Sequence, residues 1–488
     1  MSISTLRKAS IGYLLVPNLL FCYGWFRYPY SLLLITGYSF LLYLELRKSE
    51  KSDTIQIKEL VFLLAFALIW TVFTGVGGLS EQTSDFWAHN AKFYDLYKNP
   101  WPNYFAEIDR FSCYYFGYFL VPAIISKSAH ELLPSALFLW SLLGYFLAVC
   151  WVYHLLHKNK WLLFSFLWIR GIGHVILYTL KKTLFIVSPF YMPVLRAMFE
   201  QSSWVTNQLI PVIIVSCILL DDTFNRKRTQ DTFFLLTLTF VWAIFPAICL
   251  ILIFSVLFIR KYFFEESFMH IFNREAIVTY WLPGMLVVPT LIFLSSSQNT
   301  PLNGLLWEYE DGLRMSIFYF IAFLIDWVLF YYLLRLTQKK AVWLPAWFIH
   351  ALFCLFIFSS FFRIGLNNDW FYRGQIPFFV IIILGILSGI GPLIKDRNMP
   401  KSRFFIVALV PLVMAACIQI GFSSHLLRDN IFVKSIFPGK TDFKPVPYDR
   451  FPNVYQALKT LHGNKGDAEQ YLGKKGSIYD KYLSRRTH

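Results

Sequence analysis

Long apolar runs, nearly free of charge, recur along this chain: Leu60 to Thr74, Leu132 to Tyr153, Pro211 to Leu220, Phe233 to Ile259, Ile317 to Leu336, Ile376 to Ile390 and Phe404 to Phe422. Several reach the length of about 20 residues that a helix needs to cross a hydrocarbon core. Backbone groups in lipid must be satisfied internally, so such runs fold as helices. They lack the period-2 alternation of a membrane β-barrel. Composition agrees: 57% of the 488 residues are hydrophobic and 15% charged, against roughly 25% charged in a soluble domain. Too little polar surface remains to cover such a chain in water. The fold class expected is an all-α, polytopic transmembrane helical bundle.

The formal net charge is +16, but Lys and Arg cluster between the apolar runs, so the charge reads as topology and no nucleic-acid partner is expected. Placing Arg7 and Lys8, Arg47 to Lys51, Arg226 to Arg228, Arg260 and Lys261, Lys339 and Lys340, and Lys395 to Arg403 in the cytoplasm gives about 13 spans. These fall near 11–26, 29–46, 58–76, 111–127, 134–156, 161–180, 183–199, 204–220, 275–295, 314–336, 342–361, 373–393 and 404–422. The run 233–259 has basic clusters at both ends and Pro246 at its middle, so it must cross an even number of times, as a re-entrant hairpin. Lys158 and Lys160 then face outward, against the rule.

The expected organisation is a membrane module over 1–422, with an extracytoplasmic loop at 77–110, and a basic tail over 423–488 holding 12 Lys and Arg against 6 Asp and Glu. The seven Cys include no CxxC pair and read as small buried hydrophobes. HExxH, P-loop, dinucleotide and EF-hand patterns are absent.

The loop is the most informative stretch. Ser84 or Thr83 can cap a helix starting near Asp85, and Pro100 ends it. At 100° per residue, Asp85, His89, Lys92 and Asp95 share one arc and Phe86, Trp87, Phe93, Tyr94 and Tyr97 face away. That pattern predicts an amphipathic interfacial helix. Glu107 and Asp109 follow just before the next run. Carboxylates gathered at one mouth of an apolar bundle suggest a reaction or binding site. Further outer polar groups are Asn207 and Gln208, the stretch from Asn368 and Asp369 to Arg373 and Gln375, Arg363, and Glu308, Glu310 and Asp311.

The tract from Asp85, His89, Asn90 and Lys92 to Trp101 and Pro102, then Tyr114, Tyr115 and Pro122, resembles the GT-C superfamily of membrane glycosyltransferases. Ser202 to Trp204 with Asn207, Gln208 and Pro211, and Asn368 to Pro377, resemble further motifs of an uncharacterised bacterial subgroup. The resemblance implies a polyprenyl-phosphate-linked sugar as donor, a glycan, lipid or protein acceptor, and an extracytoplasmic site in a bacterial inner membrane. Such a transfer needs a carboxylate base, cations for the departing phosphate and access from lipid. Asp85 is the candidate base, with Glu107 and Asp109 next. Arg363, Arg373, His89 and Lys92 are the candidate phosphate ligands. Asn207, Gln208, Asn368, Asp369 and Gln375 are candidates for sugar or acceptor. Asp369 and Arg373, four apart, can instead pair on one helical face. No cofactor is required by these motifs, and a divalent cation is compatible with the acidic groups. The rival expectations are a transporter or flippase of lipid-linked saccharides, and a polysaccharide polymerase or ligase using a lipid diphosphate donor.

Overall fold

A computed structural model describes residues 1–48, 53–173, 195–298, 303–308, 312–338, 344–365, 368–395, 403–437, 439–462 and 468–485. The first part comprises α1 (Ile3–Trp25), α2 (Tyr30–Arg47), α3 (Ile57–Phe73), α4 (Phe86–Lys98), α5 (Gly117–Ala129), α6 (Pro134–Leu155) and α7 (Lys160–Trp168). The second comprises α8 (Met198–Leu220), α9 (Phe233–Leu238), α10 (Ile244–Ile259), α11 (Arg274–Ser295), α12 (Gly312–Gln338), α13 (Ala346–Ser360), α14 (Asp369–Lys395) and α15 (Arg403–Phe422). The tail adds α16 (Ser424–Arg428), α17 (Ile431–Ile436) and α18 (Val454–His462). The strands are two antiparallel pairs, β1 (Tyr104–Phe105) with β2 (Arg110–Phe111) and β3 (Asn303–Leu305) with β4 (Phe362–Ile364).

Among the described residues, six helices are long and apolar enough to cross a membrane. The apolar windows of α8 and α14 are 94% buried, whereas those of the other four are 29% to 61% buried. The first two therefore form the interior, and the rest turn side chains such as Leu139, Met285 and Val413 outward, as lipid-facing helices do. The expected spans 11–26, 29–46 and 58–76 are also helical, as α1 to α3. The expected span 161–180 is helical only to Trp168 within the described residues, and most of 183–199 lies outside them.

One expected span is corrected. The run 111–127 does not cross as one helix. Residues up to Phe116 are non-helical, and α5 has only 13 residues, about 20 Å of helix. Its last turn returns to the end of α4: Lys127 Nζ donates to Asn99 O at 2.6 Å and Tyr97 OH to His130 O at 3.1 Å. Gly117 lets this short helix press onto the backbone at Val241, where a Cβ would stand 2.8 Å from the carbonyl oxygen. With this crossing removed, α6 delivers Lys158 to the opposite end from that expected. There its Nζ donates to Thr54 O at 2.8 Å, beside the chain start, whose Met1 amine donates to Ile55 O. Lys158 thus lies at the same end as the start of the chain.

The hairpin at 233–259 is present. Lys261 Nζ donates to Gln230 Oε1 at 2.7 Å, so its two ends meet. The reversal falls at Ala243, in extended backbone, and Pro246 sits in the first turn of α10 rather than at the bend.

The end of the bundle carrying these basic groups is closed by buried ion pairs. Arg7 grips both oxygens of Asp222 at 2.6 and 2.7 Å and donates to Asp231 O, while Thr232 also donates to Asp222. Replacing Asp222 by Leu takes the two-oxygen partner from the buried Arg7 guanidinium and leaves it only the Asp231 carbonyl and a longer 3.8 Å contact to Glu45, a loss of about 3 kcal/mol. Thermal unfolding in detergent should show that loss in Asp222→Leu and its recovery in the Arg7→Met/Asp222→Leu double variant. Cysteines placed at Lys8 and Lys158 should react with an impermeant thiol reagent from one side of the membrane, and cysteines at Glu107 and Lys475 from the other.

Candidate functional site

At the other end, α8 is broken. Val205 has φ −136° and ψ 45°, outside the helical region. Carbonyls next to the break are taken up by the first loop: Thr83 OH donates to Ser203 O at 3.0 Å, and His89 Nε2 lies 3.0 Å from Trp204 O. Because a carbonyl only accepts, that imidazole nitrogen carries the proton. An interrupted helix at membrane depth survives when protein groups satisfy the freed backbone. Here the loop does so, which fixes α4 against the start of α8.

Helix α4 starts and stops close to the expected positions, with Asp85 and Asn99 as flanking residues. Its surroundings differ from the expectation. The polar arc does not face solvent: His89, Asn90, Lys92 and Asp95 are buried, and the partly exposed positions are aromatic, Trp87, Tyr94 and Tyr97. The helix is clasped by α5 and by the tail. Asn90 Nδ2 donates to Val446 O, and Asp95 accepts from Asn99 Nδ2 at 2.6 Å and from the Val454 amide at the start of α18. Burial raises the Asp95 carboxyl to about 6, and these hydrogen bonds oppose the rise. Asp95 thus fastens the tail.

Asp85 precedes the first turn and its carboxylate does not cap the helix. Burial raises its pKa; Arg373 opposes that shift most, Asp369 adds to it, and Lys92 and Arg196 oppose it further. Arg373, in the second turn of α14, binds Asp369 Oδ1 at 2.9 Å through Nη2 and donates from Nη1 to Tyr115 OH at 3.1 Å. Gln208 Nε2 donates to the same hydroxyl at 3.0 Å. The Tyr115 ring stacks on Tyr114 at 3.8 Å, and Lys92 Nζ stands 3.8 Å from the centre of the Tyr114 ring. Lys92 is 2% exposed. Burial first, then Arg373, lowers it to about 7, against the pull of Asp85 and Asp369. A carboxylate, an amine near neutrality and a guanidinium therefore act on one another where α4, α8 and α14 converge.

The candidates from sequence divide. Asp85, Lys92, Arg373, Asp369 and Gln208 come together. His89 lies among them, but burial and then Lys92 lower it to about 3, so it is neutral and serves the α8 break rather than an anion. Asn207 is buried in a crevice with His89, Phe86 and Trp204, and neither of its amide atoms has a hydrogen-bond partner among the described residues. Asn368 starts α14, its Oδ1 accepting from Phe371 N at 3.3 Å. Gln375 is buried one turn inside α14. Arg363 lies on β4, with its Nε donating to Gly365 O at 3.3 Å, and the charges acting most on Asp85 are others.

Glu107 and Asp109 turn to the tail instead of Asp85. Asp109 binds Tyr104 OH and Lys475, and Gln456 donates to Glu107 at 3.4 Å. Both acids are exposed. Glu310 and Asp311 lie outside the described residues; Glu308 accepts from Leu305 N. No group of three His, Cys, Asp or Glu among the described residues is arranged to hold a metal ion.

Sequence reasoning missed three members. Arg196 acts on Asp85 and covers the Trp204 and Tyr372 rings at 5.2 and 4.7 Å. Tyr115 links Arg373 to Gln208; in the sequence it stood among the residues of the resemblance with no role attached. Tyr471 comes from the tail and carried no signal. No known protein family, curated protein or solved structure matches this chain, so the geometry of the site carries the functional reading.

Proposed function

We propose that the protein is a membrane glycosyltransferase that takes a sugar from a polyprenyl-phosphate donor and passes it to an acceptor hydroxyl. The observation that carries this reading is that Asp85 lies within electrostatic reach of Arg373 and Lys92 at one end of the bundle. A base and two cations in one electrostatic neighbourhood are what displacement at a sugar phosphate requires. In the step, the acceptor oxygen forms the new bond to the anomeric carbon and its proton passes to the Asp85 carboxylate. The bond from the anomeric carbon to the phosphate oxygen breaks, and its electron pair leaves with the lipid phosphate, where Arg373 and Lys92 receive the charge. Attack opposite the leaving group inverts the anomeric centre. On this reading the site faces the extracytoplasmic side of a bacterial inner membrane, away from the basic clusters.

One feature favours a transporter. Broken helices are a device of transporter sites, which use the freed carbonyls to hold ions. In α8, however, Thr83 and His89 occupy carbonyls beside the break, and the candidate residues Asp85, Lys92, Asp369 and Arg373 gather at one end of the bundle and not at its middle. Both features favour transfer over transport.

Two outcomes follow for purified protein given a radiolabelled prenyl-phosphate sugar. Asp85→Asn should lower turnover by about 10²–10⁴-fold while the protein keeps its thermal stability; undiminished turnover removes Asp85 from the mechanism. The kcat/KM profile, which reports the free enzyme, should be bell-shaped. Its acid limb lies above the usual carboxylate range, because Asp85 must be ionised and burial raises its pKa. Its alkaline limb lies near 7, because Lys92 must be protonated. Lys92→Arg should abolish that alkaline limb.

A further inference from the structure

The tail segment from Tyr471 to Lys474 is laced into the bundle on two sides. Toward the loop before α5, Cys113 N donates to Tyr471 O at 2.8 Å and Gly473 N donates to Phe111 O at 2.8 Å. Toward the chain after α11, Gln298 N donates to Leu472 O at 2.8 Å and Lys474 N donates to Ser296 O at 2.7 Å. Ser112 pairs with Leu472 and Ser297 with Gly473 as antiparallel bridges. The segment is thus a middle strand between two stretches distant in sequence. Only glycine fits at 473: a Cβ there would lie 2.0 Å from the Phe111 ring. Farther along, Tyr479 OH donates to Trp25 O at 2.9 Å and Arg485 N to the same oxygen at 3.0 Å, tying the end of the strap to the end of α1.

This lacing delivers one side chain to the site. The Tyr471 ring stacks on Tyr114 at 4.8 Å between centroids, on a ring that also stacks on Tyr115. Lys92 Nζ lies 5.1 Å from the centre of the Tyr471 ring and 3.8 Å from that of Tyr114. Two aromatic faces therefore bound the amine, and the charged groups acting on it are Arg373, Asp85 and Asp369. Aromatic faces attract an ammonium without neutralising it, and they keep water from it.

We propose that Tyr471 is a positioning residue, brought by the C-terminal strap to hold the Lys92 amine against Tyr114 and to exclude water from the anion-binding site. The proposal rests on reading Lys92 as an anion-binding cation, but its test reads Lys92 itself and needs no sugar transfer. The tail is then part of the site, and a chain ending before residue 471 lacks one of its walls.

The test is the pH dependence of Lys92 acetylation, by competitive labelling of the full-length protein in detergent with mass-spectrometric readout. The unmodified protein should show a midpoint near 7. Tyr471→Ala admits water, and because burial is the largest cause of the depressed value, the midpoint should rise by about one unit or more. Tyr471→Phe keeps the ring and should keep the midpoint. Gly473→Ala pushes the strap off Phe111 and should raise the midpoint as Tyr471→Ala does, which preserves the test if the latter does not fold. An unmoved midpoint in the Ala variants, with only a lower melting temperature, gives Tyr471 a structural role alone and overturns the proposal. So does a Phe variant displaced as far as the Ala variant.

Discussion

Charge buried in protein must be answered by other groups, since removing an ion from water costs several kcal/mol. Lys92 and Arg373 bring two cations into the interior of one end of this bundle, where Asp85 and Asp369 are the acids that act on both. Asp369 is held by Arg373, so the amine of Lys92 depends on Asp85 and on the tyrosine faces around it. A phosphate beside Lys92 would add negative charge next to the amine, and the proton that Lys92 gives up near neutrality would be retained.

The rest of the architecture holds that constellation in place. The break in α8 at Val205 leaves carbonyls that the first loop takes up, and His89 and Thr83 thereby set the register of α4 on α8. The short α5 turns back beside α4 instead of crossing, and the non-helical residues before it carry Tyr114 and Tyr115 inward. The tail closes over both, through Asp95 at the start of α18 and through the strap at 471–474. The opposite end is locked by Arg7 and Asp222. Residues 207 and 222 lie on one continuous run of helix, so about 20 Å separate the two clusters.

Apolar periodicity and charge clusters made much of the bundle legible. The even crossing of 233–259 followed from basic residues at both its ends, and the Gln230 to Lys261 contact answers to that reasoning. The outward placement of Lys158 and Lys160 was the visible symptom of an error elsewhere: 111–127 is apolar enough to span, yet its first six residues are spent on non-helical structure. Within the site, Asp85, Lys92 and Arg373 were legible because unpaired charges near apolar runs are rare. The burial of α4 was not, because an amphipathic pattern cannot distinguish a face turned to water from one turned to a polar interior. Tyr471 was invisible for a related reason: long-range pairing of an irregular tail leaves no periodic trace.

Lys92 and Arg373 are expected to hold the phosphate of a prenyl monophosphate. Calorimetric titration of the purified protein with a short-chain prenyl monophosphate, in buffers of differing ionisation enthalpy, measures the protons taken up on binding. With burial and Arg373 lowering Lys92 to about 7, binding of the anion at pH 8 should be accompanied by uptake of about one proton per anion, lost in Lys92→Met. Binding without proton uptake, or uptake unchanged in that variant, would contradict the assignment of Lys92 and Arg373 as the phosphate-holding pair.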